Sequence, residues 1–304
     1  MLIRNVLITT VMTAIVGITY ASGAQMKRLL SLGLFTIILI ISPGILLAQD
    51  IDYHPFISDT FTFSLGAMRS NNSFKIKSDL GDDIGDEIDF DDTLHVSDHS
   101  TFFNGQLKWK FGSSKKWSVA AQYFSNNAKG SAELTEDVEW DGLTFKEGSF
   151  VNSGVKLSVV RLFFGRSFVK NDQNDFGIGA GLHTLKMKAF IEGEVEINDQ
   201  TTEFQRGDVD VSQPLPNIGA WYHFSPAKKW LLHARVDWIG ASIGDYDGHM
   251  WNANFGVNYQ AFSHIGFDLA WQYFNLNVSV DSDDWTGGAD MKYSGPVLAI
   301  TANW

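Results

Sequence analysis

The 304-residue sequence contains no cysteine and only six prolines. The first absence removes disulfides, thiolate metal sites and cysteine nucleophiles together, and it suits a chain that crosses an oxidising compartment before folding. Basic residues are also scarce: 23 Lys and Arg stand against 35 Asp and Glu, a formal charge of −12. Phosphate backbones need a basic face, so nucleic acid is excluded as a partner. No HExxH element occurs, which leaves no local signature of a zinc protease. Beyond residue 48 no apolar run reaches the roughly 18 to 20 residues of a spanning helix. Any membrane crossing by the remainder must therefore be made by strands.

What is present is glycine and aromatic side chains: 28 Gly, 10 Trp and 23 Phe, a composition of strands and tight turns rather than helices. The first 48 residues stand apart. From Met26 the sequence reads MKRLLSLGLFTIILIISPGILLAQD, with Lys27 and Arg28, an apolar run and the small Ala48, which is the layout of a signal peptide. The stretch before it repeats that layout with Arg4, Ser22 and Ala24. The simplest reading starts translation at Met26; an N-terminal helical anchor is the alternative. We therefore divide the chain into a signal region, 1–48, and one domain, 49–304.

From Thr60 onward apolar and polar residues alternate with period two, the mark of strands with one greasy face. Phe61, Phe63, Leu65 and Ala67 oppose Thr62, Ser64 and Gly66. Trp230, Leu232, Ala234, Val236 and Trp238 oppose His233, Arg235 and Asp237. Eight further segments repeat the pattern, near 103–111, 117–123, 160–165, 176–183, 217–224, 251–259, 265–273 and 298–304. Short connections at 112–116, 170–175, 225–229 and 260–264 alternate with mostly longer ones at 78–98, 133–148, 192–210, 241–248 and 281–290. A membrane barrel gives this alternation when one end faces the periplasm and the other faces outside. A soluble periplasmic sandwich would also alternate. The aromatic placement separates the two: Trp117, Trp230 and Tyr259 abut short turns, while Tyr123, Trp238, Trp251 and Tyr273 lie at the other ends. Two aromatic belts are what the two bilayer interfaces favour. The predicted fold is all-β: an antiparallel up-and-down transmembrane barrel of about ten strands, with short periplasmic turns and long acidic extracellular loops.

The signal layout, the alternating strands, the loop DLGDDIGDEIDFDD, the segment LPNIGAWYHFSPAKKWLLHARVDW and the ending GPVLAITANW together resemble the small outer-membrane β-barrel proteins of Gram-negative bacteria. The resemblance covers the whole of 49–304. It implies an outer-membrane location, surroundings of lipid and lipopolysaccharide, and assembly by the barrel-assembly machinery. That machinery reads a terminal aromatic residue with alternating apolar positions before it, roles that fall here on Trp304, Ile300 and Leu298. Trp in place of the commoner Phe, and Ala302, are departures from the pattern. The fold carries many unrelated activities, so the resemblance speaks to location more than to function.

Ten strands enclose a narrow interior that side chains largely fill. The inward Lys108, Arg161, His233, Arg235, Asp237 and Asp268 are expected to form a polar network there, because unpaired charge away from water is costly. The acidic run places eight carboxylates within residues 79–92, and Asp82, Asp83, Asp86 and Glu87 are its weak candidates for a divalent cation. Their spacing does not match an EF-hand, so a solvated loop is the plainer reading and no metal or cofactor is expected. Asp245, Asp247 and His249, with His95, Asp98, His99, Asp283 and Asp284 across the rim, are the best acid and histidine set for a surface hydrolase. Such a set can be drawn from almost any acidic loops. The expected protein is a monomeric, non-enzymatic barrel with an envelope-structural, surface-interaction or limited solute-passage role; a surface protease or lipid hydrolase is the alternative.

Overall fold

The computed structural model describes residues 54–79, 87–197, 201–243, 246–281 and 286–304. A single helical turn, α1 (Pro55–Ser58), precedes β1 (Phe61–Asp79), β2 (Glu87–Asp89), β3 (His99–Phe111) and β4 (Trp117–Glu133). There follow β5 (Val138–Trp140), β6 (Leu143–Phe145), β7 (Phe150–Lys170), β8 (Asn174–Ile197) and β9 (Thr201–Ala227). The chain ends with β10 (Trp230–Ile243), β11 (Tyr246–Gln260), β12 (Ile265–Asp281) and β13 (Thr286–Asn303). Each long strand pairs antiparallel with its neighbours in chain order, and β13 returns to pair with β1 from Thr62↔Asn303 to Asp79↔Thr286. That seam leaves β1, β3, β4 and β7 to β13 as a closed ten-stranded barrel. Strand β2 lies on β1 above β3, and β5 and β6 form a separate hairpin.

The side chains explain why the barrel sits in lipid. On β8, Phe176, Ile178, Ala180 and Leu182 point outward and are exposed, while Asp175, Gly177 and His183 point inward. Outward apolar positions recur in every barrel strand, including Leu65, Leu107, Leu162, Ile218, Phe255, Leu269 and Leu298. A soluble protein does not coat its whole girth in this way; a bilayer requires it, and closure satisfies every backbone group that the lipid cannot. The sandwich reading fails on the same observation, since β1 and β13 leave no open edge.

Above the membrane the polarity of the wall reverses. Continuing along β8, the inward residues become Leu185, Met187, Ala189, Ile191 and Val195, all buried, and the outward ones become Lys186, Lys188, Glu192 and Glu194. The same exchange occurs in β7 between Ser158 and Val160, and in β4 beyond Tyr123. Tyr123, Trp238, Trp251 and Tyr273 are exposed at this boundary, where amphipathic rings favour the interface. The upper barrel is thus built like a water-soluble β-barrel with an apolar core, joined without interruption to a membrane barrel with a polar core.

This reversal corrects the expected loops. The stretches 192–210, 241–248 and 281–290 are largely strand: β8 and β9 stay paired to Ile197↔Thr201, β10 and β11 to Ile243↔Tyr246, and β12 and β13 to Asp281↔Thr286. Strands of 24 and 27 residues, β8 and β9, far exceed the roughly 9 to 11 needed to cross a bilayer. Charges on the outward face made these segments read as solvated loops, although their period of two persists. The chain expressed from Met26 is expected to show a heat-dependent shift in electrophoretic mobility in detergent; one heat-insensitive band in the soluble fraction would contradict the membrane barrel.

Candidate functional site

The narrow lumen is filled in layers. At mid-barrel Arg161 Nε and Nη2 donate to Asp237 Oδ2 and Oδ1 at 2.7 and 2.8 Å, a bidentate pair in which both side chains are buried. Gly219 on β9 faces Asp237 across the sheet, and a Cβ there would lie 2.4 Å from Asp237 Oδ1, so the carboxylate needs a glycine opposite it. Arg235 Nε approaches Asp237 Oδ2 at 3.6 Å, and its Nη2 donates to Gln122 Oε1 at 3.1 Å. His183 bridges Asn217 at 3.0 Å and Asn252 at 3.1 Å, and Gln272 donates to Asn252. Buried charge is tolerated only when paired and hydrogen-bonded in this manner.

Lower in the barrel, His233 Nε2 and Asp268 Oδ2 are 2.8 Å apart, and Asn258 donates to both Asp268 and Thr301. Lys108, on the same inward face, lies over the Trp221 ring at 5.1 Å and the Phe56 ring at 5.9 Å, within electrostatic reach of Asp175, Arg161 and Arg235. A cavity of about 100 Å³ remains among these side chains.

A second device seals the periplasmic mouth, and the sequence reading missed it. Helix α1 is too short to hold itself, having one turn with Pro55 at its start and His54 Nδ1 accepting from the Phe56 amide. It is held from outside by lysines. Lys110 donates to the carbonyls of Phe56, Ile57 and Asp59, Lys115 to Ser58 at 2.9 Å, and Lys170 to Ile57 at 3.1 Å. Ammonium groups at the exposed carbonyl end of a helical turn are favourable on both hydrogen-bonding and dipole grounds. Phe56 enters the lumen and meets the ring of His223 edge-on at 5.0 Å. Asp175, read as part of a turn, is buried beneath and accepts from Ser167 Oγ at 2.6 Å and Trp221 Nε1 at 3.3 Å. The available signal was HPFISD, an apolar pair with an N-terminal proline between two polar residues, directly before the first strand.

Above the network lies the apolar core. Phe90 and Leu94, from the segment between β2 and β3, pack against β1 and β7, and Trp140 and Phe145, from the β5–β6 hairpin, pack against β8 and β9. Trp140 meets Phe90 edge-on at 5.5 Å and donates from Nε1 to the Gly207 carbonyl at 3.1 Å. Tyr293, packed between Phe274, Phe102 and Phe124, floors this core.

Of the acidic run, Asp82, Asp83 and Asp86 lie outside the described residues, as does the side chain of Glu87. Asp89 pairs with Lys75 at 2.8 Å and accepts from the amides of Asp91 and Asp92. Asp91 is half-buried and accepts from the Phe74 amide at 3.3 Å. Among the described residues no cluster of His, Asp and Glu could hold a metal ion. The described members of the hydrolase set are not brought together: β12, β13 and β1 intervene between His249 on β11 and His99 on β3, and Asp98 and His99 pair with each other at 2.7 Å. Asp245, Asp283 and Asp284 lie outside the described residues. At the seam, Leu298, Ile300 and Trp304 are exposed on the lipid-facing side, and Trp304 exchanges two backbone hydrogen bonds with Phe61.

No protein-family model matches the chain, and no curated protein sequence matches it. Its architecture is that of solved outer-membrane barrels. The outer membrane protease OmpT of Escherichia coli superposes with a TM-score of 0.55 at 10% identity, covering 84% of this chain and 99% of that one. The transport unit of the E. coli autotransporter AIDA-I, with a TM-score of 0.39 at 11% identity, covers 86% of this chain and 95% of that one. The toluene transporter TodX of Pseudomonas putida, with a TM-score of 0.37 at 8% identity, covers 82% and 91%. The likeness to OmpT establishes the fold and carries no activity across. With the lipid-facing band described above, it makes this chain a small transmembrane β-barrel.

Replacing Asp237 by Asn is expected to leave the buried Arg161 and the half-buried Arg235 without their shared anion and to destabilise the barrel by about 3 to 5 kcal/mol. Urea unfolding in lipid bilayers, with Asp290→Asn as an exposed control, measures this. A second expectation concerns pH. Burial and the neighbouring Asp89 raise the Asp91 carboxyl to about 6. The folded state therefore holds the proton more tightly than the unfolded state, and the associated stability, full below the ordinary carboxylate range, is lost as pH rises through about 6. Amide exchange around residues 87–92, corrected for intrinsic rates, should quicken from pH 5 to 7 and become flat in Asp91→Asn.

Proposed function

We propose that this protein is a non-enzymatic, non-conducting barrel of the outer membrane, working as a monomer amid lipid and lipopolysaccharide in an envelope-structural and surface-interaction role. The observation that carries this reading is the triple closure of the lumen. The lysine-held α1 turn stands at the periplasmic mouth, the Arg161–Asp237 pair at mid-barrel and the apolar core above. A solute path needs continuous polar space, and a dry layer above a charge-paired layer opposes one. The part of the protein that meets the surroundings is the upper barrel, whose outer wall carries Lys186, Lys188, Glu192, Glu194, Arg206, Asp208 and Asp210. Arg206 pairs there with Glu192 and Asp208 at 3.0 and 2.8 Å, a fixed mixed-charge face fit for polar partners. The shared fold with a protease is no argument for catalysis, since activity resides in sites rather than folds.

Reconstitution into planar lipid bilayers tests this reading. The full chain is expected to give no conductance steps in monovalent salt, and Arg235→Ala is expected to remain silent. Discrete steps in the unaltered protein that shift in Arg235→Ala would overturn it in favour of solute passage.

A further inference from the structure

The upper barrel is filled unevenly. Phe90 and Leu94 enter against β1 and β7, and Trp140 and Phe145 of the β5–β6 hairpin enter against β8 and β9, to pack the interior. On the side of β10 to β12, no described residue of a connection does so. A cavity of about 210 Å³ remains there, walled by side chains that include Leu185, Met187, Val211, Leu276, Ala289 and Met291. Only Asp247, His249 and Asn277 among the lining residues are ionisable or amide-bearing, and all three are exposed.

Apolar walls of this kind offer a water molecule few of the two to four polar partners it needs. A void of about 150 Å³ lined by aliphatic side chains accepts benzene. The chamber here is larger, and its methionines can adapt to an irregular guest.

The chamber also has a side entrance. Strands β9 and β10 pair from Ala227↔Trp230 to Ile218↔Trp238, and there the pairing stops, although β9 continues to Thr201 and β10 to Ile243. Pro214 and Pro216 stand in β9 immediately past that point and line the chamber with Ile239 of β10. Proline has no N–H to donate and is found at sheet edges, so the two residues keep β9 an edge in the middle of a closed wall. The comparable parting of β3 from β4 above Asn104↔Phe124 is filled: the Ser97 amide donates to Lys129, and Ser153 Oγ donates to the Leu94 carbonyl. The gap between β9 and β10 starts at Trp238, the aromatic residue that marks the outer membrane boundary, so it opens where alkyl chains meet head groups.

We propose that this chamber binds one alkyl chain, about six to eight carbons of it being enclosed, admitted sideways between β9 and β10. The apolar walls take the chain, and the exposed Asp247, His249 and Asn277 leave a polar head in water. The chain can belong to a membrane lipid or to a free hydrocarbon, and both present the same chemistry to the walls.

The test uses the full chain in nanodiscs of one phospholipid of known mass. Native mass spectrometry after release counts retained lipid, and equilibrium dialysis against empty discs measures uptake of n-octane. Ala289→Phe and Val211→Phe fill the chamber from different walls, and the heat-dependent mobility shift identifies folded variant protein. The unaltered chain is expected to hold one equivalent of lipid or of octane, and each folded variant to hold about tenfold less. Lipid retained without octane uptake identifies the membrane as the source; octane uptake without retained lipid identifies a free hydrocarbon. Absence of both, or equal retention in the unaltered chain and both variants, overturns the proposal.

Discussion

The structure depends on one exchange: at the outer membrane boundary every barrel strand swaps which face is apolar. Below it, hydrocarbon surrounds the wall and polar groups must turn inward and find one another. Above it, water surrounds the wall and the apolar side chains turn inward. Strand geometry makes the exchange possible without a break, because successive residues point to opposite faces whatever their chemistry. The Arg161–Asp237 pair, the apolar core and the ring of boundary aromatics are each consequences of where that swap is made.

The lower half of this arrangement was legible in the sequence, and the upper half was not. Phe176, Ile178 and Leu182 alternating with small and polar residues announced a lipid-facing strand, and Trp117, Trp230, Trp238 and Trp251 announced its limits. From Leu185 onward the alternation is equally regular, yet its apolar members are separated by Lys186, Lys188 and Glu192. Once the expected outward face becomes charged, the segment looks like loop. The period was preserved and the phase inverted. Leu298, Ile300 and Trp304 were legible as an alternating closing strand because that strand's last turn of alternation lies wholly below the swap.

Among the inward residues, charge type was readable and partnership was not. Arg161, Arg235 and Asp237 come from β7 and β10, which two strands separate in the wall, and only the narrow bore brings their side chains together. Lys108 shares their face but lies nearer the mouth, where Trp221 and Phe56 offer ring faces. The α1 plug was hidden for a different reason. Four residues carry too little periodicity to register as an element, and the plug's stability comes from lysines of β3, the β3–β4 turn and β7 rather than from its own turn.

The pairing of β1 with β13 makes the order of events during biogenesis strict. Until the segment 286–304 arrives, β1 has a full-length row of unpaired amides and carbonyls on one side, and lipid supplies nothing to satisfy them. Insertion strand by strand into bare hydrocarbon would therefore be uphill at every intermediate. The two ends of the domain must be brought together either before entry or under the protection of another sheet edge, and a chain lacking its final segment has no membrane-compatible resting state.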